Sequence, residues 1–99
     1  MINRGGEKIW CTDVEDELIA QDGVKDAAVV GIPNEKYGEV AAAVVVLETG
    51  YELTEEELKA RLKNRLARFK IPEKILFVEA VLKTPGLKTD KKKIKTLFV

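Results

Sequence analysis

The chain has 99 residues, 45% of them apolar and 34% charged, with 17 basic and 17 acidic side chains, one cysteine and no histidine. That length suits one domain with a modest core and is too short for two. The lack of histidine removes Ser-His and Cys-His nucleophile pairs and most zinc sites, so no metal site is expected. Cys11 has no intrachain partner, no apolar run approaches the roughly 20 residues of a membrane helix, and no signal-peptide pattern opens the chain; a cytoplasmic setting is the expectation.

In chain order, Ile2 and Ile9 flank the pair Gly5-Gly6, which predicts a short N-terminal β-hairpin with a plain turn. Thr12-Asp13-Val14-Glu15 fits a capping box, and Val14, Leu18 and Ile19 share a face, so a helix is expected over about 13–21, closed by Gly23. Ala27–Ile32 is a continuous apolar run that suits a strand buried on both faces. Residues 33–38 read as a loop, 40–47 as a second buried strand, and 48–50 as a turn. Thr54-Glu55-Glu56-Glu57 is a second capping box; Leu58, Leu62 and Leu66 then predict a helix over about 55–67, stopped by the segment Phe69–Pro72. Residues 74–78 read as a third strand. A turn at Thr84-Pro85-Gly86-Leu87 leads to Lys88 and to a terminal helix over 90–98, with Thr89 as its cap. The fold class is α+β: a small three-stranded sheet packed with helices and preceded by the hairpin. The element order alone also admits a ferredoxin-like sandwich.

No set of residues makes a complete active site. The acids of both helices read as caps and solvated faces, Cys11 as a small core hydrophobe, and Trp10 and Tyr37 as packing residues. Arg4, Arg68 and Lys70 read as solvated or helix-end charges, and Lys91, Lys92 and Lys93 cannot all face one ligand on a helix. Lys88 stands out by place: a lysine at the mouth of a turn carries a compact charge on a flexible stem, suited to meeting a phosphate or carboxylate once and releasing it. A solvated basic tail is the plainer reading of the same stretch.

Four stretches, in order, resemble one family. They are Ile2–Glu15 (INRGGEKIWCTDVE), Ala27–Val45 (AAVVGIPNEKYGEVAAAVV), Leu66–Pro72 (LARFKIP) and Thr84–Lys92 (TPGLKTDKK). Together they resemble the C-terminal domain of the adenylate-forming (AMP-binding) enzymes, and the Gly-Gly-Glu-Lys-Ile form with Cys11 close behind is most similar to acyl-CoA synthetases, or fatty-acid–CoA ligases. Leu87 stands where the family has glycine. The resemblance implies a single domain over 1–99 belonging to a longer ligase whose N-terminal domain binds ATP, Mg2+ and the acid. The parent would activate a carboxylic acid, above all a fatty acid, as its acyl-adenylate and pass it to CoA, ATP and CoA being co-substrates. It implies that Lys88 acts in adenylation and that Gly5, Gly6 and Glu7 lie on the CoA face. Arg4, Arg68 and Lys70 would then have CoA phosphates within reach. The domain alone is expected to be inactive, its partners being its own N-terminal domain and these small molecules, with no nucleic acid.

Two other readings have some footing. Residues 1–50 hold ten acids against four bases and residues 51–99 seven against thirteen, an asymmetry that also suits a small nucleic-acid binder. The ferredoxin-like layout suits a free-standing protein-interaction module. Neither accounts for four matching stretches in order.

Overall fold

The computed structural model describes residues 1–81, 85 and 88–98. Its elements are β1 (Ile2–Arg4), β2 (Glu7–Ile9), α1 (Cys11–Ile19), β3 (Val24–Asn34), β4 (Gly38–Leu47), α2 (Glu55–Leu62), a 3-10 turn (Arg68–Lys70), β5 (Lys74–Phe77) and α3 (Lys91–Thr96). The architecture is α+β, as expected. β3 and β4 form a long antiparallel pair, Val24 opposite Leu47 through Asn34 opposite Gly38. β5 lies parallel to β4, with Ala42 opposite Lys74 and Val45 opposite Phe77. The hairpin β1–β2 joins this three-stranded unit through one antiparallel pairing, Arg4 with Gly38, so five strands make a single sheet. Since β3 fills one side of β4, β1 and β5 share the other, and among the described residues no further strand pairs with the far side of β3.

Alternate residues of β3 and β4 feed two cores. Ala27, Val29, Ala41, Ala43 and Val45 face one side, with Val14 and Leu18 of α1 and Leu58 and Leu62 of α2. Ala28, Val30, Val40, Ala42, Val44 and Val46 face the other, with Val81 and, from α3, Ile94. This is why both strands read as unbroken apolar runs: neither face meets water.

The capping box at Thr54 forms. Thr54 Oγ1 accepts the Glu57 N–H at 3.1 Å, and Glu57 Oε1 accepts the Thr54 N–H at 3.3 Å. Thr54→Ala is expected to lower stability by about 1 kcal/mol, seen as a lower midpoint in urea with an unchanged slope.

The capping box expected at Thr12 does not form. α1 begins at Cys11, and its cap, Trp10, makes no side-chain hydrogen bond. Glu15 accepts the Val29 N–H at 2.7 Å instead. An amide on the edge of the sheet under α1 gains more from a carboxylate than a helix end that water can reach. α1 also closes earlier than expected, at Ile19, while Gly23 takes φ +89° in the following turn; a Cβ there would sit 2.4 Å from the Tyr51 ring. α2 ends at Leu62 rather than near 67, although Leu66 still packs half-buried on the same core. α3 is capped by Asp90, which accepts the Lys93 N–H at 3.2 Å, and not by Thr89. Trp10, expected to pack, is 56% exposed. The turn expected at Thr84-Pro85-Gly86-Leu87 falls, Pro85 apart, outside the described residues, as does any consequence of Leu87. No helix among the described residues is long and apolar enough to cross a membrane.

Candidate functional site

The glycine pair forms the tip of the β1–β2 hairpin, with φ +57° at Gly5 and +93° at Gly6. A Cβ would make both conformations costly. The Gly6 N–H donates to Asn3 Oδ1 at 3.1 Å, and the Gly5 N–H donates to the Tyr37 carbonyl at 2.8 Å. A Cβ on Gly5 would come within 3.2 Å of the Tyr37 ring, whereas nothing lies within 4 Å of the corresponding point on Gly6. The hairpin tip is thus bare backbone on its outer side, and exposed Glu7 follows it on β2.

Tyr37 belongs to the β3–β4 loop. Asn34 Oδ1 shapes that loop by accepting the N–H groups of Lys36 at 2.9 Å and Tyr37 at 3.0 Å. The Arg4 guanidinium lies 3.8 Å over the Tyr37 ring, and the Lys36 ammonium lies 5.1 Å from it, both favourable against the ring's negative face. Lys36, by hydrogen bond and by charge, and then Arg4 hold the Tyr37 hydroxyl below its ordinary pKa.

Arg4 also leans over a hollow of about 240 Å³ whose walls carry Lys59, Lys63 and Arg68. Glu73 answers part of this charge: it pairs with Arg4 at 3.4 Å, and its carbonyl accepts from Lys59 Nζ at 2.6 Å. Lys70 lies apart from that wall, with Nζ 5.9 Å from the Phe69 ring centre. What remains is a concave, net-positive surface beside the glycine turn, able to meet an anion. Arg4 and Arg68 were grouped at the sequence level together with Lys70, but the stacking of Arg4 on Tyr37 was not legible there, because no local pattern links the two.

Lys88 is exposed and lies three residues before α3. It is carried by a different element from the hairpin that holds Gly5, Gly6 and Glu7: one set belongs to the sheet, the other to the lead into the helix on the second core. Cys11 is half-buried against the first core, as a small apolar residue would be. Among the described residues no three His, Cys, Asp or Glu side chains converge as metal ligands.

The family model for the AMP-binding enzyme C-terminal domain matches residues 13–88. The chain belongs to that family. The match covers α1 from Asp13, all of α2 and the whole of β3 to β5, and its last residue is Lys88. Among the relatives of this AMP-binding C-terminal domain, a long-chain-fatty-acid–CoA ligase of Mycobacterium tuberculosis is 41% identical over 85 residues, covering 86% of this chain and 17% of the relative. An oxalate–CoA ligase of Saccharomyces cerevisiae is 39% identical over 98 residues, covering 99% of this chain and 18% of the relative. In three dimensions, the amide bond synthetase McbA of Marinactinospora thermotolerans superposes with a TM-score of 0.93 at 33% identity, covering 98% of this chain and 20% of that one. The chain therefore spans about a fifth of the length of the proteins it matches.

Proposed function

We propose that this chain is the C-terminal domain of an ATP-dependent acyl-CoA synthetase, an acid–thiol ligase that forms an acyl-adenylate and then an acyl-CoA. The observation that carries the reading is the continuous family match from α1 to Lys88, in a chain whose relatives include enzymes named as CoA ligases.

Each half-reaction is assigned its own part of the domain. Attack of a carboxylate on the α-phosphate of ATP brings two anions together and builds charge on the reacting oxygens. The Lys88 ammonium, on a flexible stem, neutralises that charge. It must withdraw before a thiol approaches, which suits a residue on a domain that moves between steps. The hairpin tip then serves the second step. Gly5 and Gly6 present backbone where side chains would obstruct a pantetheine arm, with Glu7 beside them. The hollow bearing Arg4 and Arg68 is placed to receive the phosphates of CoA. Mg2+, ATP and the acid are assigned to the N-terminal domain of the parent, as the family resemblance implies. With Cys11 unpaired, a reducing, cytoplasmic location fits.

The test uses the full-length parent and a panel of short, long-chain and aromatic acids. Acid-dependent exchange of pyrophosphate into ATP, followed by CoA thioester formation, is expected for at least one acid. Exchange without any thioester, but with amide formed from an added amine, would move the chain to the amide-forming branch that McbA represents. No exchange with any acid would overturn the reading.

A further inference from the structure

Three lysines open α3, and they are not equivalent. Lys92 and Lys93 are exposed, whereas Lys91 folds back across the edge of the sheet. Its Nζ donates to Glu15 Oε2 at 2.6 Å and to the Val29 carbonyl. The same Glu15 oxygen accepts the Val29 N–H at 2.7 Å. Both hydrogen-bonding groups that Val29 turns away from β4 are thus taken, one by a carboxylate of α1 and one by an ammonium of α3. The Glu15 side chain is 19% exposed and that of Lys91 38%, so the pair is partly shielded from solvent and salt.

This clamp fixes where α3 begins. Ile94 anchors the helix by burial, but an apolar contact alone tolerates sliding and rotation. The Lys91 bonds are directional and fix the start of the helix against one peptide of β3. Asp90 then closes the first turn on the Lys93 N–H. Lys88 lies three residues upstream, a chain distance of at most about 11 Å.

We propose that Lys91 is a positioning residue for Lys88. Through Glu15 and Val29 it locks the start of α3 to the sheet, and this sets how far and in which direction the Lys88 ammonium reaches. The proposal rests on the function assigned above. Removing the Lys91 charge leaves the Val29 carbonyl unpaired and frees the lead into α3, and small misplacements of a reacting group are costly to rate.

The test compares the full-length parent with its Lys91→Gln, Lys91→Arg and Lys95→Gln variants, Lys95 lining the same hollow as Glu15 and Lys91. Lys91→Gln is expected to lower kcat for pyrophosphate exchange about ten-fold or more, while thioester formation from preformed acyl-adenylate changes much less. Lys91→Arg should recover most of the exchange, because it keeps the charge and the donors, and Lys95→Gln should resemble the wild type. Hydrogen exchange at the amides of Lys88–Asp90 should quicken in Lys91→Gln only. If both half-reactions fall together with the thermal midpoint, Lys91 is merely structural and the proposal fails. Wild-type exchange in Lys91→Gln overturns it as well. A wild-type parent without pyrophosphate exchange overturns the function reading instead; amide protection at 88–90 then decides the clamp, and unchanged protection in Lys91→Gln refutes it.

Discussion

Lys88→Ala in the full-length parent is expected to slow acid-dependent pyrophosphate exchange by about 10²–10³-fold, corresponding to about 3–4 kcal/mol of lost transition-state stabilisation. The effect is large because the ground state holds two separated anions, whereas the transition state joins them and concentrates their charge. A cation at that point binds the second far better than the first. Thioester formation from preformed acyl-adenylate should change much less, since in the proposed mechanism the reacting centre is then the acyl carbon and Lys88 has withdrawn. Lys88→Arg keeps the charge but replaces a point donor with a wider planar fork, so partial recovery is expected. Equal losses in both half-reactions would remove Lys88 from the role assigned to it.

Leu62→Ala should produce the largest loss of stability, about 2–5 kcal/mol. Leu62 is fully buried, at the last turn of α2, in the core that it shares with Val14, Leu18, Val29, Val45 and Leu58. Truncation removes buried apolar atoms and leaves a cavity that the close-packed surroundings fill only in part. Leu66→Ala, on the same stripe, should cost clearly less, because Leu66 lies beyond the end of the helix and is only half-buried. Urea denaturation of the two variants checks the order. A Leu66 cost equal to that of Leu62 would mean that the stripe continues as a buried helix.

These two leucines show where the sequence speaks and where it stops. The apolar spacing of α2 was legible because the stripe is local. Its end was not, because the spacing runs on through Leu66, which lies past the helix in a turn whose N–H groups at Arg65 and Leu66 both close on the Leu62 carbonyl. The pair β3–β4 was legible because burial on both faces leaves an unbroken apolar run. The parallel placement of β5 and the single pairing of Arg4 with Gly38 were not, since register between distant strands leaves no local mark.

Glu15 gives the sharpest contrast. By spacing it belongs to a capping box, as Glu57 does, and Glu57 behaves accordingly. Glu15 instead meets an edge amide of β3 and a lysine 76 positions onward. A tertiary partner that needs a buried acceptor outcompetes a local partner that water can satisfy. The candidate site follows the same division. Gly5 and Gly6 were readable as a turn from composition. Lys88, one of thirteen bases in the second half of the chain, was singled out by its place at the mouth of a turn and in a family motif.

Because the sheet partitions the interior, its two sides need not open together. One side rests on two helices and the hairpin; among the described residues the other rests chiefly on six-residue α3, with Val81 and Phe98. Of the described residues, those of α3 are expected to open first in amide exchange, against the hold of the Lys91 bonds to Glu15 and Val29. Lys88 thus lies three residues from a helix that loss of the Lys91 bonds would loosen without opening the other core.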